Sequence, residues 1–371
     1  MLLLLLLTTL LVLCLPLLPA LDEWWRPTDV VPLHIDGDDA IDPPYLARRF
    51  AQHLQLAIEG GETQLGESKI VRITSPGERW PMDERETRYA ASRRLWRVDG
   101  SAELPAGITF LAEVAVEHDV VTAPRGVYRA LLAGGRMKLA PRTRVLRWAH
   151  ADEIQIDRAC RLPGRVSAER CLHVGQSVRF GVLQAPEIRF AHDAKPAVAP
   201  TTAAVLAPVT HTGLPHPEQW VLNAGRGVAG RSIDLLAHHA WRVDLVCRGR
   251  LTLGEGCHAR GSLKAHGDLE LGAGCHVAGS VFAQGQVRIG AGCVVLGCVV
   301  SETAVILEPG CVIGAPGQEA TVSAPHIDVA ANVRVHGTLW ASAKGRTRNK
   351  PSAPAARVAS ALRRSAPRAV A

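Results

Sequence analysis

Four cysteines, Cys257, Cys275, Cys293 and Cys311, stand 18 residues apart, and each follows a glycine. A fixed period of this length marks a structural unit stacked on copies of itself. Aligned on the cysteine, one unit runs from Ala265 to Phe282 and the next from Ala283 to Val300. Their apolar residues share one set of offsets: Leu269, Leu271, Cys275, Val277 and Val281, then Val287, Ile289, Cys293, Val295 and Val299. A spacing of two is a strand with alternate residues facing inward. The recurrence after six residues marks a corner, so three faces of six close one triangular coil of 18. Glycines between the pairs supply the backbone angles that tight corners demand.

This register predicts coils at 229–246, 247–264, 265–282, 283–300 and 301–318, and a last one restarting at Ser323 after four extra residues. The template also fits upstream, at Ile154, Ile156, Cys160, Leu162, Gly164 and Val166, and 18 residues later at Leu172, Val174, Val178, Phe180 and Val182. A weaker coil with Met137, Leu139 and Val145 precedes these by 17 residues. Two blocks, 136–190 and 229–340, thus flank a Pro/Ala-rich stretch at 191–228 that suits a loop or a linker. Residues 22–135 predict a small α+β region or a cap, with an amphipathic helix from Pro43 to Ile58 and strands near 69–74 and 108–116. The expected fold is mainly β: a triangular single-stranded β-helix behind an N-terminal hydrophobic segment.

With Gly267, Gly279, Gly285 and Gly297 punctuating the inward Val, Leu and Ile pairs, the coils resemble the bactofilin family of polymer-forming cytoskeletal proteins. The resemblance is best over 229–340 and looser over 136–190. It implies a right-handed β-helix that assembles end to end with itself, without a nucleotide, and that serves protein clients as a scaffold at a bacterial-type inner membrane. Strand physics points the same way, because the two ends of a coil stack are unpaired edges. At the C-terminal end, Leu339 and Trp340 offer a core plug or an interface anchor.

Residues 1–21 carry no charge and are mostly leucine, long enough for an anchor in the lipid bilayer. The net charge of +7 is concentrated: residues 344–371 hold eight basic and no acidic side chains. A disordered tail over 341–371 is expected, with Lys344, Arg346, Arg348, Arg363 and Arg364 available to anionic lipid. The nine cysteines suit a cytoplasmic location of the soluble part, as small hydrophobes rather than disulfides. Valine fills the ladder position at Val178 and Val333, so the sulfur is expected to serve size.

No cofactor or metal is expected. The ladder cysteines form a line rather than a tetrahedron, and His258 and His276 face outward on adjacent coils. Gly-x-Gly lacks the strand-to-helix context of phosphate binding. The sequence therefore predicts a non-catalytic scaffold. One alternative is an acyltransferase built on a left-handed hexapeptide-repeat helix, suggested by Ile289-Gly-Ala-Gly-Cys293-Val and Leu307-Glu-Pro-Gly-Cys311-Val, with His266 or His326 beside Asp268 or Asp328. A passive extracytoplasmic envelope protein is the other.

Overall fold

In the computed structural model of the chain, which describes residues 1–15, 25, 42–74, 80–190, 211–213, 219–223 and 226–348, one corner of each coil is held in the left-handed backbone region. The corner residues are Ala90, Gly107, Arg125, Arg142, Ala159 and Ser177, then His238, Gly256, Gly274, Gly292, Gly310 and Asn332, with φ between 49° and 78°. Glycine adopts this region freely, whereas other L-residues lose about 1–2 kcal/mol there. Hydrogen bonds to the next coil hold the strained corners in place. Arg125 N–H donates to the Pro141 carbonyl, Arg142 to Arg158, Ala159 to Gln176 and His238 to Glu255, at 2.8–3.0 Å. Gly256, Gly274 and Gly292 make the same bond to Ala273, Ala291 and Pro309.

Between corners the chain lays down short strands that pair in parallel with their equivalents one coil on. About 13 turns of about 18 residues stack in this way. In the C-terminal block Leu251, Leu269, Val287 and Val305 form one inward column, and Leu253, Leu271, Ile289 and Leu307 another. The four extra residues fall in a turn closed by the Ala315–Gln318 bridge, after which Val305 pairs with Ile327. Every inward residue expected from the period, including Leu269, Leu271, Cys275, Val277, Val287, Ile289, Cys293 and Val295, is buried.

The N-terminal block is longer than the sequence suggests. Strands Ser68–Ile73, Leu95–Val98, Thr109–Val116, Val127–Ala133, Arg144–Ile156, Arg161–Val174 and Arg179–Phe190 pair in parallel as successive coils. Most of the described part of 22–135 is therefore more coil, not a separate α+β module. Among the described residues the helices are α1 (Leu2–Cys14), α2 (Tyr45–Glu59) and α3 (Glu84–Tyr89). The chain divides into two units, 1–42 and 43–371, and α1 belongs to the first. Helix α2 straps the flank of the coils rather than capping an end: Leu54 packs with Leu95 and Ala115, and Ala47 with Ala130 and Trp148. Helix α3 is inserted within a coil, and its C-cap, Ala90, is the first left-handed corner.

Aromatic side chains cluster at block ends. Trp80, Trp96, Phe110 and Tyr128 pack together at the start of the N-terminal block, with ring centroids 5.0–5.8 Å apart. Trp220 and Trp241 are buried at the start of the C-terminal block. Away from the block ends the core is filled mainly by Val, Leu, Ile, Ala and Cys.

A methyl group added at Gly274 would meet no atom within 4 Å, so Gly274→Ala isolates the backbone cost. It should lower unfolding stability by about 1–2 kcal/mol in urea titration. Ala159→Gly should move stability the other way by less, since glycine costs about 0.5–1 kcal/mol of unfolded-chain entropy. Equal stability of the parent and Gly274→Ala would remove the corner as a determinant of the fold.

Candidate functional site

A coil stack has exposed hydrogen-bonding groups only at its ends, so an activity that works by strand pairing must reside there. The C-terminal ends of the two blocks meet each other. Strand Arg179–Phe190 pairs antiparallel with Val333–Thr347 around all three faces, with Phe180 opposite Gly345, Leu183 opposite Leu339 and Phe190 opposite Val333. A pseudo-two-fold axis perpendicular to the coil axis therefore relates the blocks, and both keep the same hand.

Charge and sterics are fitted to this junction. Arg179 faces Arg346, and Arg189 faces Arg334, pairs that would repel. Asp328 holds Arg346 through two bonds of 2.6 Å, while Glu187 holds Arg189 at 2.6 Å and Arg334 at 3.1 Å. The carboxyl of Glu187 is held below its ordinary range: burial opposes this, and the two arginines outweigh it. Any side chain at Gly345 would overlap the Phe180 ring. Leu339 is fully buried here, whereas Trp340 lies half-buried on the outer surface opposite Val182.

The expected tail begins later than the sequence suggests. Residues 341–347 belong to the last strand, Arg346 pairs with Asp328, and Arg348 reaches Glu308 at 3.3 Å beside Arg288 at 2.7 Å. Lys344 is exposed on that strand. Arg363 and Arg364 lie outside the described residues.

With both C-terminal ends joined, the N-terminal ends face outward. In the first block Gln64–Leu65 folds back only on Ser68 and Lys69. In the second, Val221–Asn223 covers Arg226–Ala229, and His211–Thr212 pairs with His239–Trp241. Strand Ile233–Leu235 pairs, among the described residues, with Leu251–Leu253 alone. Among the described residues, one face of this end has no partner strand.

The ladder cysteines have a role that size alone does not explain. Each thiol donates to the carbonyl three residues before the ladder position of the previous coil: Cys257 to Leu236, Cys275 to Gly254, Cys293 to Gly272 and Cys311 to Gly290, at 3.0–3.1 Å. Upstream, Cys160 donates to Ala140 at 3.3 Å, and the Thr143 hydroxyl to Ala123 at 3.3 Å. At the junction the corresponding carbonyl, Gly175, accepts from Thr347 Oγ1 at 3.0 Å. The ladder position gives these corner carbonyls a donor, which for Ala123, Ala140 and Gly290 comes in addition to a backbone N–H. Burial pushes the Cys160 and Cys311 thiols up to about 12. The Cys257 thiol is raised first by its hydrogen bond with Cys275 and then by burial. The line of sulfurs is buried, and the pKa values of the Cys257, Cys275 and Cys311 thiols are all raised.

The His258 and His276 rings stack with centroids 5.9 Å apart. Burial lowers the pKa of both, and the charge of His258 lowers that of His276 further. The acyltransferase candidates are engaged otherwise: Asp328 holds Arg346, and Asp268 accepts the Gln286 N–H at 2.8 Å. A cleft of about 420 Å³ between α2 and the coils is lined by Arg48, Arg97, Glu117, His150, Asp152 and Glu169. There His150 Nδ1 lies 2.8 Å from Ser167 Oγ and its Nε2 3.4 Å from Glu169. Ser167 is only 2% exposed, beneath the imidazole rather than open to the cleft. Among the described residues one set of metal-ligating side chains converges, Glu153, Cys171 and His173. Comparison with family models, curated proteins and solved structures finds no match for the chain.

Cys293→Val keeps the volume but removes the donor, so it should cost about 1–3 kcal/mol in thermal or urea unfolding, while Cys293→Thr should recover part of the loss. Equal stability of parent and valine variants would return the sulfur to a space-filling role. For the histidine pair the folded-state pKa lies below the ordinary value near 6.5. Protons therefore bind the unfolded chain more readily, and the stability present above about pH 6.5 is lost as pH falls. Replacing both with asparagine should flatten the melting temperature between about pH 7 and pH 5. An unchanged slope would show that other groups set the acid sensitivity.

Proposed function

We propose that this protein is a non-catalytic, membrane-tethered scaffold that self-assembles through the ends of its coils, as the resemblance to bactofilins implies. The observation that carries the proposal is the junction. Within one chain, the end of one coil stack already serves as the pairing surface for another, with matched side chains and compensated charge. The same contact made between molecules is an assembly reaction. Since the C-terminal ends are joined to each other, contacts between molecules fall to the outward N-terminal ends, including the edge at Ile233–Leu235, which has one partner strand among the described residues. Strand direction then alternates along the assembly with each block.

Tethering rests on the hydrophobic N-terminus. Helix α1 is a run of leucines, and Thr8 and Thr9 turn their hydroxyls back onto the Leu5 carbonyl. This satisfies those polar groups without water. At 13 residues it is about 20 Å long, against the roughly 30 Å of a bilayer interior. Among the described residues no helix is long and apolar enough to cross a membrane. Residues 16–21 of the expected span lie outside them. We assign the anchor, the cytoplasmic placement of the coils and contact of Arg363 and Arg364 with anionic lipid to the same proposal.

Electron microscopy and sedimentation of the full-length protein in detergent test assembly directly. The expected result is concentration-dependent rods whose axial repeat is about 60 Å, from 13 turns of about 4.8 Å each. Monodisperse monomers across concentration and salt would overturn self-assembly, and a discrete trimer that binds an acyl donor would favour the transferase instead.

A further inference from the structure

Glu153, Cys171 and His173 occupy neighbouring coils at a place where the ladder is irregular. The register shifts between Ala151 and Glu153 in one coil and between Ser167 and Cys171 in the next. Bulges of this kind re-aim side chains. Cys171 and His173 are two apart on one strand and face outward on either side of buried Leu172. Glu153 lies directly opposite Cys171 on the preceding coil.

The distances match the edges of a coordination tetrahedron. Cys171 Sγ is 3.5 Å from His173 Nε2, which is 3.6 Å from Glu153 Oε1, and all three ligand atoms lie within 4.8 Å of one another. Around zinc, bonds of about 2.3 Å to sulfur and about 2.0–2.1 Å to nitrogen and oxygen place S and N about 3.5 Å apart and N and O about 3.4 Å apart. We infer that Glu153, Cys171 and His173 form a binding site for a borderline-soft divalent cation, zinc above all, with the fourth position open to solvent. The donor set supports that choice: thiolate and imidazole favour zinc over magnesium or calcium, and three protein ligands leave one place for water or a ligand from a partner.

The surrounding charges are compatible with an arriving cation. Arg136 lies 3.5 Å and Arg170 3.7 Å from Glu153 Oε2, leaving Oε1 turned toward His173. Such contacts orient a ligating carboxylate from behind. Arg170 is also bound to Asp152 at 2.8 Å, and Arg189 to Glu187 at 2.6 Å, so neither guanidinium is uncompensated. Binding displaces the thiol proton to solvent and leaves a thiolate, which adds one negative charge to that of Glu153.

Cobalt(II) added to the full-length protein is the test, because thiolate coordination gives a charge-transfer band in the near ultraviolet that carboxylate and imidazole do not. The parent should bind one equivalent with that band, and zinc should displace it. Cys171→Ser should abolish the band, and His173→Ala should weaken binding at least tenfold. Cys298→Ser, in the other block, should change neither. Glu153→Gln, the least disruptive substitution, should keep the band but weaken binding at least tenfold, which keeps the test decisive if His173→Ala unfolds. No band in the parent, a band that survives Cys171→Ser, or unchanged affinity in Glu153→Gln would overturn the site.

Discussion

The left-handed corner before each ladder position is the constraint on which the rest of the structure depends. Seven of its twelve occupants are not glycine: Ala90, Arg125, Arg142, Ala159, Ser177, His238 and Asn332. Each carries a backbone cost of about 1–2 kcal/mol. For Arg125, Arg142, Ala159 and His238 the compensation comes from the next coil, whose carbonyl receives the corner N–H. Asn332 donates across the junction to Phe190, and Ala90 to Glu86 of its own helix. Ladder donors also reach back to corner carbonyls. No coil is therefore stable in isolation, and the stack is cooperative along its axis. The same dependence makes an end costly. At the C-terminal end of the first block Thr347 supplies the missing donor to Gly175 from the opposite block. The junction thus completes the bonding scheme of the coils rather than adding a contact to it.

Seen this way, what the sequence revealed and what it concealed have one cause. In the C-terminal block the corner is glycine four times running, at Gly256, Gly274, Gly292 and Gly310, and the next residue is always cysteine. The period can be read directly. In the N-terminal block the same conformation is held by glycine only once, at Gly107, and otherwise by arginine, alanine and serine, which carry no such signature, and the spacing varies between 17 and 18. The earliest coils are hidden further by helix α3 and by aromatic core residues such as Trp96, Phe110 and Tyr128. Helix α2 was legible because Leu46, Phe50, Leu54 and Ile58 keep a spacing of four, but its docking along the flank depends on outward Ala130 and Trp148, which a coil template assigns to solvent. The junction could not be read at all. It joins residues some 150 apart in antiparallel register, whereas the repeat describes only parallel neighbours.

A chain with so few aromatics gathers several of them in the first coils of its N-terminal block, where Trp96, Phe110 and Tyr128 have coils on both sides. Charged pairs at the junction do different work. Arg179 opposite Arg346 and Arg189 opposite Arg334 would repel; Asp328 compensates Arg346 from within its own block, and Glu187, which holds Arg189 on its own strand, also reaches Arg334 across the junction. A slip of one residue would turn Phe180 away from the space left by Gly345. The junction is specified by mismatch as much as by match.

In a stack of this period the meaningful neighbour of a residue is the one 18 positions away, and chemistry has to be read in columns. Glu153 and Cys171 are remote by the rules that find local metal motifs, yet they are adjacent side chains. The ladder cysteines show the converse. Read along the chain they suggest reactivity, whereas read as a column each is a donor to the coil behind it. Threonine fills the role once, at Thr143, where its hydroxyl also contacts Thr122. In the C-terminal block a thiol suits the same place, because a weak donor gives up little hydration on burial. It can satisfy a carbonyl while packing as a hydrophobe, and so meets both demands of the corner with one side chain.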